Sequence, residues 1–319
     1  MRKVILLMAT SLFAFSGCSK EAPEEEKEIK YDYSKAANVF ILAGQSNMEG
    51  QSLVSNLSSY LEDNNLPKDY YEKGFEDIKI SYMGKENSTN KVSPISGEFV
   101  GTKLGYGASK LRFGPDVSLA EKLHKTEKNP QNPVYFIKFT YSGAGFMGEP
   151  NFKSPSTNET GQLWLDMVAF IHNCLDLVAE DGYLPIIKGL LWAQGENDGW
   201  SSKGASLYEE HMLAFLDDFK KEFNDYCYNF DSGNLVFIDS YISKDSIWEY
   251  CDSINETKDK ISALSEKYFV IDTLSTGLDL KLGDEEHGGG DKCHYTVDST
   301  IRLGYAFADI IIKNKLLDF

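Results

Sequence analysis

The segment "NVFILAGQSNMEG", residues 38–50, decides how the rest of the chain is interpreted. Its apolar run at 39–42 ends in an Ala-Gly pair, and Ser46 follows two residues after the glycine. A run that is apolar at every position is typical of a strand buried on both faces. Ser46 then lies just beyond a strand end, either as a nucleophile or as the N-cap of a helix, a position that serine favours.

The rest of the chain alternates similar short apolar runs with amphipathic segments. We expect further strands at 134–140, 187–193, 235–239 and 268–272, and helices at 116–125, 162–179, 207–223, 253–267 and 300–313. This βαβα order predicts an α/β fold with a parallel sheet of five strands and helices on both faces. The segment at about 51–113 is rich in Ser, Asn and Gly, and we expect an elaborated loop region near the site.

The N-terminus has the pattern of an export signal. Arg2 and Lys3 precede an apolar stretch at 4–15 that is too short to span a bilayer as a stable helix. The following "FSGC" resembles a bacterial lipoprotein signal, in which residues 1–17 are removed and Cys18 is lipidated; the alternative is an ordinary secretory signal. Residues 18–35 are charged and predict a disordered acidic tether. We therefore expect an exported outer-membrane lipoprotein, at the cell surface or on the periplasmic face, that contacts the membrane only through Cys18.

Composition limits the classes of function. The chain has 319 residues, and its net charge of -17 without a basic cluster argues against nucleic-acid binding. Residues 36–319 suit a single domain, which we expect to be a monomer. Four further cysteines fit no disulfide scaffold or zinc motif, so we expect buried thiols with at most one bridge: Cys174, Cys227, Cys251 and Cys293.

Four polar or glycine-rich clusters follow the predicted strands and should converge at one edge of the sheet. They are Ser46, "SGAG" at 142–145, "WAQGENDG" at 192–199 and "GGGDKCHYT" at 288–296. A serine hydroxyl becomes a good nucleophile when a histidine acts as its base and a carboxylate fixes that histidine's tautomer. Asp291 and His294 supply both groups on one loop, so the clusters predict acyl transfer.

The developing oxyanion needs hydrogen-bond donors. The backbone N–H groups of Ser46 and Gly143 and the side chain of Gln194 are the candidates. Glu196 has an open role, since it could hold His294, orient Gln194 or brace the loop.

A second Asp-x-x-His unit, Asp284 and His287, competes with Asp291 and His294. Three glycines follow His287, whereas His294 directly precedes the last predicted helix. The cluster of His287, Asp291, Cys293 and His294 could also be interpreted as metal ligands, but nothing fixes a tetrahedral spacing.

Four motifs together resemble the SGNH-type acetylesterases, and more narrowly carbohydrate esterase family six and the sialate O-acetylesterase domain. They are "ILAGQSNMEG", "FGPD", "IKGLLWAQGENDG" and "DKCHYT", and the resemblance runs from about residue 38 to 312. It implies a flavodoxin-like three-layer αβα fold and metal-independent deacetylation of sugars, without a cofactor. It also implies Ser46 as nucleophile, His294 as base, Asp291 as its partner, and Gly143 and Gln194 in the oxyanion hole. The "SGAG" segment matches loosely, so Gly145 is an alternative to Gly143.

The partner that follows is an acetylated glycan, such as xylan or O-acetyl sialic acid. Two alternatives stay open: a catalytically inactive sugar-binding lipoprotein, and a serine esterase acting on non-carbohydrate esters. The intact Ser, Asp and His argue against the first. The lack of a long apolar segment outside the signal argues against a lipid-binding lid.

Overall fold

The computed structural model describes residues 32–85, 92–94, 98–244, 247–275, 278, 280–283 and 292–319. Residues 33–319 form one compact unit. The predicted signal peptide and Cys18 lie outside the described residues, and so do Asp284, His287 and Asp291.

From residue 116 onward, the helices and strands alternate in the order that the apolar runs predict. The strands are β1 (Ala36–Gly44), β2 (Ser52–Leu53), β3 (Phe75–Lys85), β4 (Val92–Pro94), β5 (Val100–Thr102), β6 (Arg112–Phe113), β7 (Val134–Thr140), β8 (Leu184–Ala193), β9 (Val236–Ser240) and β10 (Tyr268–Ile271). The helices are α1 (Ser46–Glu49), α2 (Leu57–Asp63), α3 (Tyr70–Lys73), α4 (Asp116–His124), α5 (Gln162–Glu180), α6 (Ser202–Glu222), α7 (Cys251–Ser262) and α8 (Val297–Lys313).

The central sheet has the order β10-β9-β8-β1-β7-β3-β4, and β5 also pairs with β3. The five predicted strands and β3 run parallel to one another. The chain places β7 on one side of β1 and then crosses to place β8 on the other. The carboxyl end of β1 is therefore a topological switch point, where open α/β sheets bind their ligands.

Two apolar cores cover the two faces of the sheet. Val39, Ile41 and Ala43 of β1 pack into a core shared with α5, α6 and α7. Phe40 and Leu42 face the other way, into a core shared with α4 and α8. This alternation explains the continuous apolar run of β1 and confirms the three-layer α/β prediction.

The segment at 51–113 differs from the predicted loop region. It contains β3, which extends the sheet beyond the predicted five strands by pairing in parallel with β7. It also supplies β4 and β5, which pair antiparallel with β3. Glu76, Asp77 and Lys79 interrupt the apolar pattern of β3, because this strand lies near the edge of the sheet and is only partly covered.

Cys174, Cys227, Cys251 and Cys293 form no disulfide. Burial raises the pKa of Cys174 to about 11 and that of Cys227 to about 12, so both are unreactive thiols at neutral pH. Among the described residues, no helix combines the length and apolar character needed to cross a membrane.

Candidate active site

Ser46 lies on a one-turn helix directly after the central strand. Gly44 ends β1 with φ at +141°, and a side-chain carbon there would lie 2.2 Å from the carbonyl oxygen of Ala193. The backbone N–H of Gln45 donates to that same oxygen at 3.0 Å. The close approach of the β1 and β8 ends therefore requires glycine, and it turns the chain so that Ser46 begins α1 at the switch point.

A buried ion pair stabilises the last residue of this helical turn. The Lys138 ammonium donates to the carbonyl oxygen of Glu49 at 2.8 Å and to the Asp116 carboxylate at 2.6 Å. Both charged side chains are fully buried, and burial raises the pKa of Asp116. Gly114 packs against Glu49, since a side-chain carbon there would lie 2.9 Å from the Glu49 carbonyl oxygen. The "FGPD" motif at 113–116 thus fixes the far end of α1.

The loop after β7 joins the same turn. The Ser142 hydroxyl donates to the Glu49 carboxylate. The Gln51 amide donates to the Ser142 hydroxyl at 3.0 Å and to Glu49 at 3.2 Å. Arg112 donates to the Gln51 backbone at 2.6 Å. Residues at the two ends of the 51–113 segment therefore brace the site.

Gln194 lies in the loop after β8, and its side-chain amide nitrogen donates hydrogen bonds to other protein groups. Its Nε2 donates to Asp198 at 2.7 Å, with longer contacts to Gln45 Oε1 at 3.3 Å and the Ala144 carbonyl at 3.4 Å. The Asp198 carboxylate also accepts from the Phe146 backbone at 3.1 Å. Burial raises the pKa of Asp198 to about 6, against the lowering effect of these hydrogen bonds.

The predicted oxyanion donors therefore differ in availability. Within the described part of the chain, the backbone N–H groups of Ser46 and Gly143 donate no hydrogen bond, whereas both Gln194 amide hydrogens face acceptors. Gly143 is exposed, with φ at +74° and open space around its Cα. Gly145 is buried instead, and a side-chain carbon there would lie 2.2 Å from Asp198 Oδ2. Asn197, which the sequence analysis missed, donates from Nδ2 to the Gly143 carbonyl at 2.7 Å.

His294 lies on the loop before α8, and Asn47 joins this loop to the serine turn. Asn47 Nδ2 donates to Glu196 Oε1 at 2.7 Å and to the Cys293 carbonyl at 3.2 Å. Its Oδ1 accepts from the Tyr295 backbone N–H at 3.3 Å. The peptides on both sides of His294 are therefore bound by the residue next to Ser46. Of the three roles left open for Glu196, this contact matches the bracing role.

The carboxylate partner of His294 is not located, because Asp291 lies outside the described residues together with the competing pair Asp284 and His287. Within the described residues, no three His, Cys, Asp or Glu side chains are arranged to hold a metal ion.

The sequence analysis missed Asn47, Asn197 and Asp198, although each lies within one or two residues of a predicted site residue. Each of these side chains contacts a residue at least 52 positions away in the sequence, as Asn47 contacts Cys293. Their position within the quoted motifs was the only sign in the sequence that they belong to the site. A motif does not show which residue a side chain will contact.

Comparisons with known proteins identify a family and support the fold. The family model described as carbohydrate esterase, sialic acid-specific acetylesterase matches residues 36–313. The crystal structure of NanS is similar at 14% identity, with a TM-score of 0.57, over 88% of this chain and 98% of that one. An X-ray structure of an Arabidopsis thaliana protein is similar at 19% identity, with a TM-score of 0.54, over 88% of this chain and 99% of that one.

At these identities the two structures support the fold alone, and no curated protein matches the chain. The family model covers most of the chain, from the start of β1 to the end of α8, and therefore includes all the elements that build the site. The chain belongs to the carbohydrate esterase family of sialic acid-specific acetylesterases.

Proposed function

We propose that the protein is a serine esterase that removes O-acetyl groups from carbohydrates through an acetyl-enzyme intermediate. One observation supports this most strongly: a single serine turn at the switch point is hydrogen-bonded to both loops that carry the other candidate groups. Gln45 binds the β8 loop, and Asn47 binds the His294 loop. Preorganised acyl transfer needs a nucleophile held by fixed neighbours, and these hydrogen bonds support the proposal for that reason.

In the proposed reaction, Ser46 Oγ attacks the acetyl carbonyl carbon while His294 accepts the serine proton. His294 then donates this proton to the sugar oxygen as the carbon–oxygen bond of the ester breaks. Water attacks the acetyl-enzyme with the same histidine as base and releases acetate. Asp291 holds the imidazole in the tautomer that the reaction needs.

The oxyanion would be stabilised by the Ser46 and Gly143 backbone N–H groups, together with the side-chain amide of Asn197. One Asn197 amide hydrogen is donated to the Gly143 carbonyl. The second amide hydrogen has no acceptor among the described residues, so it is available to a ligand. Gln194 then acts as a support, since it links Asp198 to Gln45. Removal of one such oxyanion donor typically lowers kcat by about 10²–10³-fold.

The family description directs the choice of substrate. O-acetyl sialic acid is the first substrate to test, followed by acetylxylan and other acetylated polysaccharides. Release of acetate from a panel of these glycans would rank them.

The serine mechanism is tested by Ser46→Ala on p-nitrophenyl acetate, with folding checked by circular dichroism. We expect no turnover above background and no labelling by a fluorophosphonate, in contrast to the wild type. A folded Ser46→Ala variant with wild-type turnover would overturn the proposal. A wild-type protein that binds acetylated glycans without releasing acetate would instead indicate an inactive sugar-binding lipoprotein.

We further propose that the protein is an exported lipoprotein held at the outer membrane through Cys18. The basic start, the apolar stretch and "FSGC" at 15–18 support this proposal from the sequence alone.

A further inference from the structure

We infer that Asn47 is a positioning residue for His294: together with Glu196, it fastens the histidine loop to the serine turn. This inference rests on the proposed serine mechanism and adds to it the group that sets the distance between nucleophile and base.

The hydrogen bonds fix the orientation of the Asn47 amide. Glu196 Oε1 and the Cys293 carbonyl are acceptors, so the nitrogen faces them, while the Tyr295 N–H is a donor and faces the oxygen. Three of the four hydrogen bonds that an asparagine side chain can form are made. Both amide hydrogens are therefore used, and a ligand role for this side chain would break the contacts to the loop.

Glu196 is itself held in place, which makes it a firm anchor. Two residues before Glu196, the Gln194 carbonyl accepts from the Lys258 ammonium at 2.7 Å and from the Tyr208 hydroxyl at 3.2 Å. The Asn197 N–H, just after Glu196, donates to Gln45 Oε1 at 3.2 Å. Asn47 and Glu196 are 6% and 3% exposed, and a hydrogen bond to a carboxylate away from water is stronger than an exposed neutral one.

The histidine loop has a second set of contacts on its other side. The His294 carbonyl accepts from the Gly283 N–H at 2.8 Å, and the Thr296 N–H donates to the Lys281 carbonyl at 3.0 Å. These contacts join the loop to 281–283, whereas Asn47 joins it to the serine turn. Because the imidazole must meet the Ser46 hydroxyl, the Asn47 contacts bear directly on catalytic geometry.

The test is a comparison of Asn47→Ala with Asn38→Ala. Asn38, like Asn47, is buried and donates to two backbone carbonyls distant in sequence, those of Asn132 and Leu317. It lies near the start of β1, at the end of the strand opposite to the serine turn. We expect Asn47→Ala to lower kcat roughly 100-fold, as a misplaced catalytic group does, with KM within about twofold. The rate of fluorophosphonate labelling should fall in parallel. Asn38→Ala should lower the unfolding temperature and leave kcat unchanged.

Two Glu196 variants give a second test if Asn47→Ala does not fold. Glu196→Gln keeps an oxygen that can accept from Asn47, whereas Glu196→Ala removes it. We expect kcat to decrease in the order wild type, Glu196→Gln, Glu196→Ala.

The inference is overturned if folded Asn47→Ala retains wild-type kcat, or if the two Glu196 variants are equally active. An active Ser46→Ala would overturn the serine mechanism as well. An inactive Ser46→Ala with a fully active Asn47→Ala would remove only the positioning role.

Discussion

At the scale of single residues, the site depends on the neighbours of the predicted groups as much as on the groups themselves. Ser46 stands between Gln45 and Asn47, whose side chains bind two different loops. The sequence predicts Ser46, because a polar residue after a buried strand has a known place in an α/β sheet. It does not predict the partners of Gln45 and Asn47, which depend on packing between distant segments.

The two Asp-x-x-His units give a sharp prediction at this scale. His294 lies between residues that are bound by Asn47, and buried Tyr295 follows it. Three glycines follow His287 in the sequence, and glycine is the residue that favours no single backbone conformation. We expect His294→Ala to lower kcat by at least ~10³-fold, as loss of a triad base does. His287→Ala should stay within about tenfold, or ~1.4 kcal/mol in the barrier.

Steady-state kinetics on one acetylated substrate would check this pair, with folding followed by circular dichroism. Asp291→Asn should be severe as well. An inactive His287→Ala variant together with an active His294→Ala variant would assign the catalytic base to His287 instead of His294.

The oxyanion assignment gives a second residue-scale prediction. Asn197→Ala should lower kcat by about 10²–10³-fold, because it removes the side-chain donor beside Gly143. KM for a small acetyl ester should change little, since the interaction strengthens only in the transition state. Asn229→Ala, in an exposed 3-10 turn that contacts Tyr33, is the control and should leave kcat unchanged. Equal kcat values for Asn197→Ala and the wild type would exclude Asn197 as the donor.

At the scale of elements, α7 stabilises the β8 loop through a buried ion pair. The Lys258 ammonium donates to Asp239 at the end of β9 at 2.6 Å and to the Gln194 carbonyl at 2.7 Å. Lys258→Met leaves the Asp239 carboxylate buried without its partner and should lower the free energy of unfolding by about 3–5 kcal/mol. Urea denaturation measures this change.

Lys260→Met on the same helix is a matched control. Its ammonium is exposed and lies 3.8 Å from Glu209, so its loss should cost no more than ~0.5 kcal/mol. Equal urea midpoints for Lys258→Met and Lys260→Met would show that the buried pair does not support the loop.

Elements could be predicted from the sequence wherever burial is complete. Strand β7 is buried along its whole length and was predicted with its observed bounds. Strand β3 was missed, because its exposed residues carry charges and its sequence lies within a polar segment. The order of the strand-end clusters along the chain predicted which loops converge. Which of their side chains would bind each other could not be predicted, because those contacts depend on the crossing at β1.

At the scale of the whole molecule, the proposed chemistry needs no metal ion. The nucleophile, the base and the oxyanion donors are all protein groups, so protein dialysed against EDTA should retain its full kcat. Steady-state kinetics before and after this treatment would check it, with a zinc-dependent hydrolase as the positive control for chelation. A loss of activity that zinc or manganese restores would revive the metal-ligand interpretation of His287 and His294.

The proposed lipid anchor determines where the enzyme meets its substrate. The compact unit begins at residue 33, so we propose that the charged sequence from residue 18 to about residue 32 acts as a tether between a lipid on Cys18 and the catalytic domain. We expect cells that express the full chain and are fed a clickable fatty acid to label the protein, and Cys18→Ala to abolish the label. Cys293→Ala is the control. Because Cys293 belongs to the folded domain, this variant should leave the labelling unchanged. A wild-type protein without label, or equal labelling of Cys18→Ala, would exclude the anchor and leave an ordinary secretory signal as the interpretation of residues 1–17.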